Sequence, residues 1–341
     1  MRMSESSSNN TPAPSLSVIV PAYQAGEDLP HCLAALRKDG GDQLEIIVVD
    51  DASPGQDMAE IAAAHGAKYL RLERNGGPAV ARNAGVAASQ GELLMFVDAD
   101  CVVHPGTLAK ARAAFTEESL GACFGSYDEQ PAAAGFLSQY RNLYHRWVHQ
   151  NSPTKVSTFW TGCGAVTRAA FEQARGFNPQ LSHMGMEDIE LGYRISDLDL
   201  KIAIVKDMLC QHRKRWTLSG MVRTDIFHRG VPWMLILMAR DGSEQDLNIN
   251  HKARVATLAG GLFPALLLLT LVWPWFALPA ALCGLIMVLM QSGFYRYLRK
   301  IRGPLFALRA IPAQWLFFLC CAVSIPLAVA RKLRGKGLKP R

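Results

Sequence analysis

Apolar residues occur along the chain in two distinct regimes. In the first half they form short continuous runs, SVIV (Ser17–Val20), EIIVVD (Glu45–Asp50), KYLRL (Lys68–Leu72) and ELLMFVD (Glu92–Asp98), separated by polar helical stretches. Runs of this length without polar alternation predict strands buried on both faces. The intervening segments EDLPHCLAALRK, about Gln56 to His65, and GPAVARNAGVAAS predict helices, with another opening at Pro105. Strands alternating with helices predict an α/β fold whose mostly parallel sheet is flanked by helices.

In the second half the runs are longer. Val255–Trp273, Pro274–Gly293 and Ala310–Ala330 are uncharged stretches of 19, 20 and 21 residues, each near the ~20 residues that cross a bilayer core. Trp273, Trp275, Tyr295, Tyr297 and Trp315 lie at or near their ends, where aromatic residues meet the membrane interface. The reading is a C-terminal hydrophobic helical membrane region over 255–330, entered through amphipathic interfacial helices over 212–254 and followed by a basic tail, 331–341. Three full crossings would export a tail holding six Lys or Arg, against the positive-inside rule. The expectation is therefore two crossings plus one re-entrant or interfacial segment, with Pro312 and Pro326 pointing to the third run. The opening residues, 1–14, are polar, carry no apolar signal core and read as a disordered lead.

Charge follows the same division. The 341 residues carry a formal net charge of +7, but residues 1–250 hold 23 of the 36 Lys and Arg and all 29 Asp and Glu, a net of −6. The positive charge belongs to the apolar tail, which fits membrane lipids as partners and argues against nucleic acid. Eight cysteines show neither a disulfide framework nor a metal-binding spacing, as expected in a reducing compartment.

In an open α/β sheet, ligands gather beyond the carboxyl ends of the strands. There the sequence places Pro21, Ala22 and Tyr23, then Asp50 and Asp51, then Asp98 and Asp100. Two carboxylates two residues apart suit Mg²⁺ or Mn²⁺ shared with substrate phosphates, although either acidic pair alone serves equally well as a helix cap. Glu187-Asp188 opens a helical pattern and reads on its own as an N-terminal charge pair. No GxGxxG follows the first strand and no GxxxxGK[ST] occurs, which leaves dinucleotide and P-loop chemistry unsupported.

The ordered motifs VIVPAYQAGEDL, IIVVDDAS, RNGGPAVARNAG, LLMFVDADC, FWTGCGAVTRAAFEQARGFN and GMEDIELGYRI, then a histidine, span about residues 15–216. In this order they resemble the family 2 glycosyltransferases, inverting enzymes of GT-A fold that use nucleotide sugars. The resemblance implies a catalytic domain over 15–211 and places Pro21, Ala22, Tyr23, Asp50, Asp51 and Arg82 at the nucleotide. It puts Asp98 at the ribose or metal, Asp100 on a Mn²⁺ or Mg²⁺ ion, and Asp188 in the role of general base beside Glu187. Asp51 is compatible with uracil, so a UDP sugar is the favoured donor. HRKRW resembles the QxxRW of polysaccharide synthases with His212 in the Gln position, placing Arg215 and Trp216 at the acceptor or diphosphate and His212 near the metal; a basic stretch facing lipid head groups is the alternative. Gly162, Cys163 and Gly164 permit close backbone approach to a sugar, or form a tight turn. GFLSQYRNLYHRWVHQ (Gly135–Gln150) reads as a helix whose aromatics pack, with a position over the acceptor cleft as the other reading. The expected protein is an enzyme on the cell inner membrane or another membrane, its catalytic domain cytoplasmic and its acceptor lipid-linked or a growing glycan. A nucleotidyltransferase, and a non-catalytic membrane scaffold or transporter component with a degenerate transferase domain, are the rival readings.

Overall fold

The computed structural model describes residues 15–240 except 56 and 118, and residues 250–337 except 336. The expected lead, residues 1–14, and the end of the expected basic tail lie outside the described residues. Along the chain run β1 (Leu16–Ala22), α1 (Leu29–Gly40), β2 (Glu45–Asp50), α2 (Met58–Ala64), β3 (Lys68–Arg71), α3 (Pro78–Ala87), β4 (Leu93–Val97) and β5 (Cys101–Val103). Next come α4 (Thr107–Ala114), β6 (Leu120–Tyr127), α5 (Phe136–Asn151), β7 (Lys155–Val156), β8 (Cys163–Thr167), α6 (Arg168–Gln173), α7 (Glu187–Ser196) and β9 (Lys201–His212). The C-terminal part comprises α8 (Leu218–Arg223), a π-helix (Thr224–Gly230), α9 (Val231–Ala239), α10 (His251–Leu269), α11 (Ala277–Met290), α12 (Ser292–Arg302) and α13 (Pro304–Leu333).

The sheet order is β3-β2-β1-β4-β8-β6-β9-β5, with β7 pairing β9. Its first four strands are mutually parallel and correspond to the four continuous apolar runs. Val18, Ile19, Val20, Val48, Val49, Phe96 and Val97 are fully or almost fully buried, as expected of strands covered by helices on both faces. The other half is mixed: β8 runs antiparallel to β4 and β6, while β9 runs parallel to β6 and antiparallel to β5. Phe96 anchors the junction, its ring centroid 5.0 Å from Phe177 and 6.4 Å from Phe159. Such edge-on pairs each add about 0.5–1.5 kcal/mol beyond area burial, and this one lies two residues before Asp98. All eight cysteines are free thiols, which agrees with the reading of their spacing.

The C-terminal helices differ from expectation in one respect. α10 and α13 are long and apolar enough to cross a membrane, whereas the second run is a helix pair, Pro274–Met290 and Ser292–Arg302, bent by 60°. The break therefore falls in the second run, not the third. α13 continues through Pro312 and Pro326 for 30 residues. Packing against neighbouring helices lets an apolar helix tolerate the hydrogen bonds that proline removes. The bend instead follows composition: apolar α11 gives way at Gln291 to α12, which buries Phe294 and Leu298 and carries Arg299, Lys300 and Arg302 in its last turn, as an interfacial helix does.

Candidate active site

The turn after β4 is closed by the Cys101 N–H donating to the Asp98 carbonyl at 2.9 Å, and it sets both acidic residues at the strand end. Pairing of Cys101 with His212 in the β5–β9 ladder brings His212 beside Asp100, with Nε2 3.5 Å from Oδ2. The imidazole is stacked on Tyr127, centroids 4.3 Å apart. Burial alone would raise the Asp100 pKa, but the His212 charge and hydrogen bond outweigh it and hold the carboxyl down at about 2.

Glu187 and Asp188 form the first turn of α7. Gly185 and Met186, at φ 74° and 71°, precede them in the left-handed region. For methionine this conformation costs of order 1–3 kcal/mol and persists only where the surroundings enforce it. Here Met186 is buried in a cluster with Leu181, Ile189, Tyr193 and Trp233. Asp188 Oδ1 accepts from the Ile189 N–H at 2.8 Å, and Oδ2 from the Thr161 N–H and hydroxyl, each at 3.3 Å. Burial nevertheless raises the Asp188 pKa.

Arg82 joins the two acidic motifs. From α3, Nη1 donates to Glu187 Oε1 at 2.6 Å and Nη2 to Asp98 Oδ1 at 2.8 Å. Burial, opposed by Arg82 and reinforced by Asp188, raises Glu187 to about 7. Arg82 Nε and Glu187 Oε2 are buried without a hydrogen-bond partner among the described residues.

Arg82, Asp98, Asp100, Glu187, Asp188, His212 and Trp216 line one cavity of about 300 Å³. A second, also about 300 Å³, shares Asp100 and is lined by Arg213, Lys214 and Arg215. The remaining expected site residues lie elsewhere. Asp51 accepts from the Gly76 and Gly77 N–H groups at 2.7 Å each and shapes the loop before α3. Asp50 is buried, holding the Ser53 N–H, the Tyr69 hydroxyl and Arg71. With Pro21, Ala22 and Tyr23, these two stand at the ends of β1 and β2, outside both cavities.

Gly162, Cys163 and Gly164 also fall outside. A Cβ on Gly162 would stand 2.3 Å from the Trp160 ring, and one on Gly164 2.2 Å from the Trp160 carbonyl. Both glycines thus let the backbone pass close to Trp160, and Cys163 is a buried strand residue. Sequence reasoning missed Thr161, Trp160, Arg141, His145, His149, His228 and Arg229 as wall residues. Arg141, His145 and His149, four apart on α5, were a readable polar stripe. The same helix packs Tyr140 and Tyr144 against Phe294 and Phe317, so packing and cleft readings each describe one face.

Asp98, Asp100 and His212 supply donors suited to Mn²⁺ or Mg²⁺. Among the described residues no three His, Cys, Asp or Glu side chains converge as a ready-made ion cage, and Asp98 is turned towards Arg82. The donor types fit an ion completed by substrate oxygens.

The α/β fold with its mostly parallel sheet resembles GT-A glycosyltransferase structures. Mannosyltransferase PcManGT from Pyrobaculum calidifontis, solved with GDP-Man and Mn²⁺, superposes with a TM-score of 0.59 at 18% identity, over 96% of this chain and 89% of that one. Residues 17–175 match the glycosyl transferase family 2 model and residues 141–215 the model described as N-terminal domain of galactosyltransferase; the chain carries a family 2 glycosyltransferase domain. Similar curated proteins include the uncharacterized glycosyltransferase YibD of Escherichia coli K12, 40% identical over 94 residues, 26% of this chain and 27% of that protein. An N-acetylglucosaminyltransferase of Mesorhizobium japonicum is 31% identical over 147 residues, 41% of this chain and 34% of that one. The matches thus span about a third of the length of these relatives.

Proposed function

We propose that this protein is an inverting glycosyltransferase that moves a sugar from a nucleoside-diphosphate sugar, UDP favoured, to a hydroxyl or phosphate acceptor at a membrane. One observation carries the reading: Asp98, Asp100 and His212 face the same cavity as Asp188, and Arg82 ties the two acidic motifs together. In this reading Asp188 takes the proton from an acceptor hydroxyl as it attacks the anomeric carbon. Its carboxylate is aimed by Thr161 and the Ile189 N–H, and attack from that side expels the diphosphate from the other, inverting the centre.

Glu187 fixes Arg82, whose second arm orients Asp98. Lys214 and Arg215, in the adjoining cavity, offer positive charge to the diphosphate. Trp216 presents a buried indole N–H that has no partner among the described residues, a donor for the acceptor side. A Mn²⁺ or Mg²⁺ ion held by Asp98 and Asp100, with His212 beside them, would neutralise charge on the departing oxygens.

Asp188→Asn tests the assignment. Transfer should fall at least ~100-fold, the scale of a general base, while nucleotide-sugar protection against heat persists. Wild-type turnover in the variant would overturn the role of Asp188. Release of pyrophosphate in place of a nucleoside diphosphate would make the enzyme a nucleotidyltransferase.

A further inference from the structure

A larger cavity, about 790 Å³, lies between the π-helix, α9, α10 and α13. Its walls are mainly apolar, with Leu237, Leu258, Leu262, Phe318 and Ile325 among them, and its size is that of a ligand site. It shares Arg229 and Trp233 with the catalytic cavity. One of the two residues between the chambers is therefore an arginine on a π-helix, a helical form that is rare and concentrated at functional positions.

The charges around this wall do not balance. Arg229, Arg254 and Lys332 line the larger cavity with one carboxylate among the described residues, Asp225, and that one is committed to Arg141, whose two terminal nitrogens both reach it. Arg229 makes no hydrogen bond or ion pair with any described residue. Burial, then the like charge of Arg141, lowers its pKa from the ordinary guanidinium value against the opposing pull of Asp225 and Asp188. Arg229 is half-buried, and a cation partly withdrawn from water without an ion pair is costly; an anion arriving from outside the protein removes that cost. The π-helix is also held from two sides. A Cβ on Gly185, just before the Glu187-Asp188 turn, would meet the His228 carbonyl at 2.5 Å, and one on Gly230 would meet Ser324 Oγ of α13 at 2.1 Å. The segment carrying Arg229 is thus packed directly between the acidic motif and a candidate membrane span.

We propose that this cavity holds the hydrocarbon of a long-chain lipid phosphate, and that Arg229 receives the phosphate at the entrance to the catalytic cavity. An apolar chamber that ends in an unpaired cation matches a chain that ends in an anion. A bilayer phospholipid has its phosphate between a polar head and two chains and matches it less well. Only the naming of this lipid as the acceptor rests on the transferase reading; the binding itself does not.

The test uses the full chain in detergent, with undecaprenyl monophosphate, undecaprenol and phosphatidylglycerol as probes and retained lipid read by native mass spectrometry. The wild type should retain the monophosphate at least tenfold over the alcohol. Arg229→Gln should bring the two within about twofold, and Arg229→Lys should restore part of the preference. Ala322→Trp, which fills the α13 wall, should abolish retention of both; if it does not fold, the glutamine and lysine variants still decide. Equal retention of phosphate and alcohol by the wild type, an unchanged preference in Arg229→Gln, or displacement by equimolar phosphatidylglycerol would each overturn the proposal. No donor sugar is present, so a failed transferase assay leaves this result standing, and failure here with turnover intact refutes the lipid site alone.

Discussion

The cavity at the strand ends and the cavity among the C-terminal helices share a wall yet treat buried charge in opposite ways. In the first, Arg82 is held between Glu187 and Asp98 and no nearby carboxylate lies far from a cation or donor. In the second, Asp225 is satisfied by Arg141, and Arg229 forms no ion pair or hydrogen bond with a described residue, with Asp225 and Asp188 acting on it only through space. Compensation within the chain fixes geometry, as a reaction centre needs. Compensation left open asks for a ligand. An arginine withdrawn from water is a structural strut or a binding group according to whether the fold has already supplied its anion.

The largest effect should come from breaking the strut. Arg82→Met leaves Glu187, 6% exposed, and Asp98 without their shared cation. Removing one partner of a buried ion pair costs about 3–5 kcal/mol, so thermal melting should drop steeply and transfer should be lost with it. Unchanged melting would mean that Glu187 is carried as the neutral acid, and the contrast with Arg229 would lose its basis.

A smaller effect tests the mechanical link between the two chambers. Gly230→Ala places a methyl group 2.1 Å from Ser324 Oγ, an overlap that resolves only by shifting the π-helix or α13. Overpacking of this kind costs about 1–3 kcal/mol. The double variant Gly230→Ala, Ser324→Gly should recover part of the loss in melting temperature, since the Asp225 carbonyl, 2.7 Å away, still crowds the methyl group. Failure to recover would place the strain elsewhere than at this contact.

The parallel half of the sheet was legible because continuous apolar runs report burial on both faces, and its strands fall within two residues of the expected bounds. The mixed half was not, because β6, β8 and β9 are defined by pairings between segments far apart in sequence. The acidic motifs could be read as local patterns, yet their connection through Arg82 spans 105 residues to Glu187. The bonds of Asp51 went unread for a related reason: a carboxylate after a strand looks the same whether or not it caps the N–H groups of a distant loop, as Asp51 does at Gly76 and Gly77. Pro312 and Pro326 suggested a break because propensity ignores the neighbours that stabilise a packed apolar helix. Arg229 offered no sequence signal, since its significance lies in the two chambers it separates.

The smallest effect sharpens the acid–base side. Asp188 must be ionised to accept a proton, and burial raises its pKa, so the acidic limb of kcat/KM against pH should lie above the ordinary carboxylate value of about 4. Activity is then lost as pH falls through that limb and kept above it. Thr161→Val removes one hydroxyl donor to the charged form while leaving the backbone N–H in place. A neutral hydrogen bond contributes about 0.5–1.5 kcal/mol, and the 3.3 Å length of this one argues for the low end. Since 1.36 kcal/mol corresponds to one pKa unit, the limb should move upward by about half a unit, with the plateau rate little changed. A limb that stays fixed in Thr161→Val while the plateau falls would assign Thr161 to the bound sugar in place of the base.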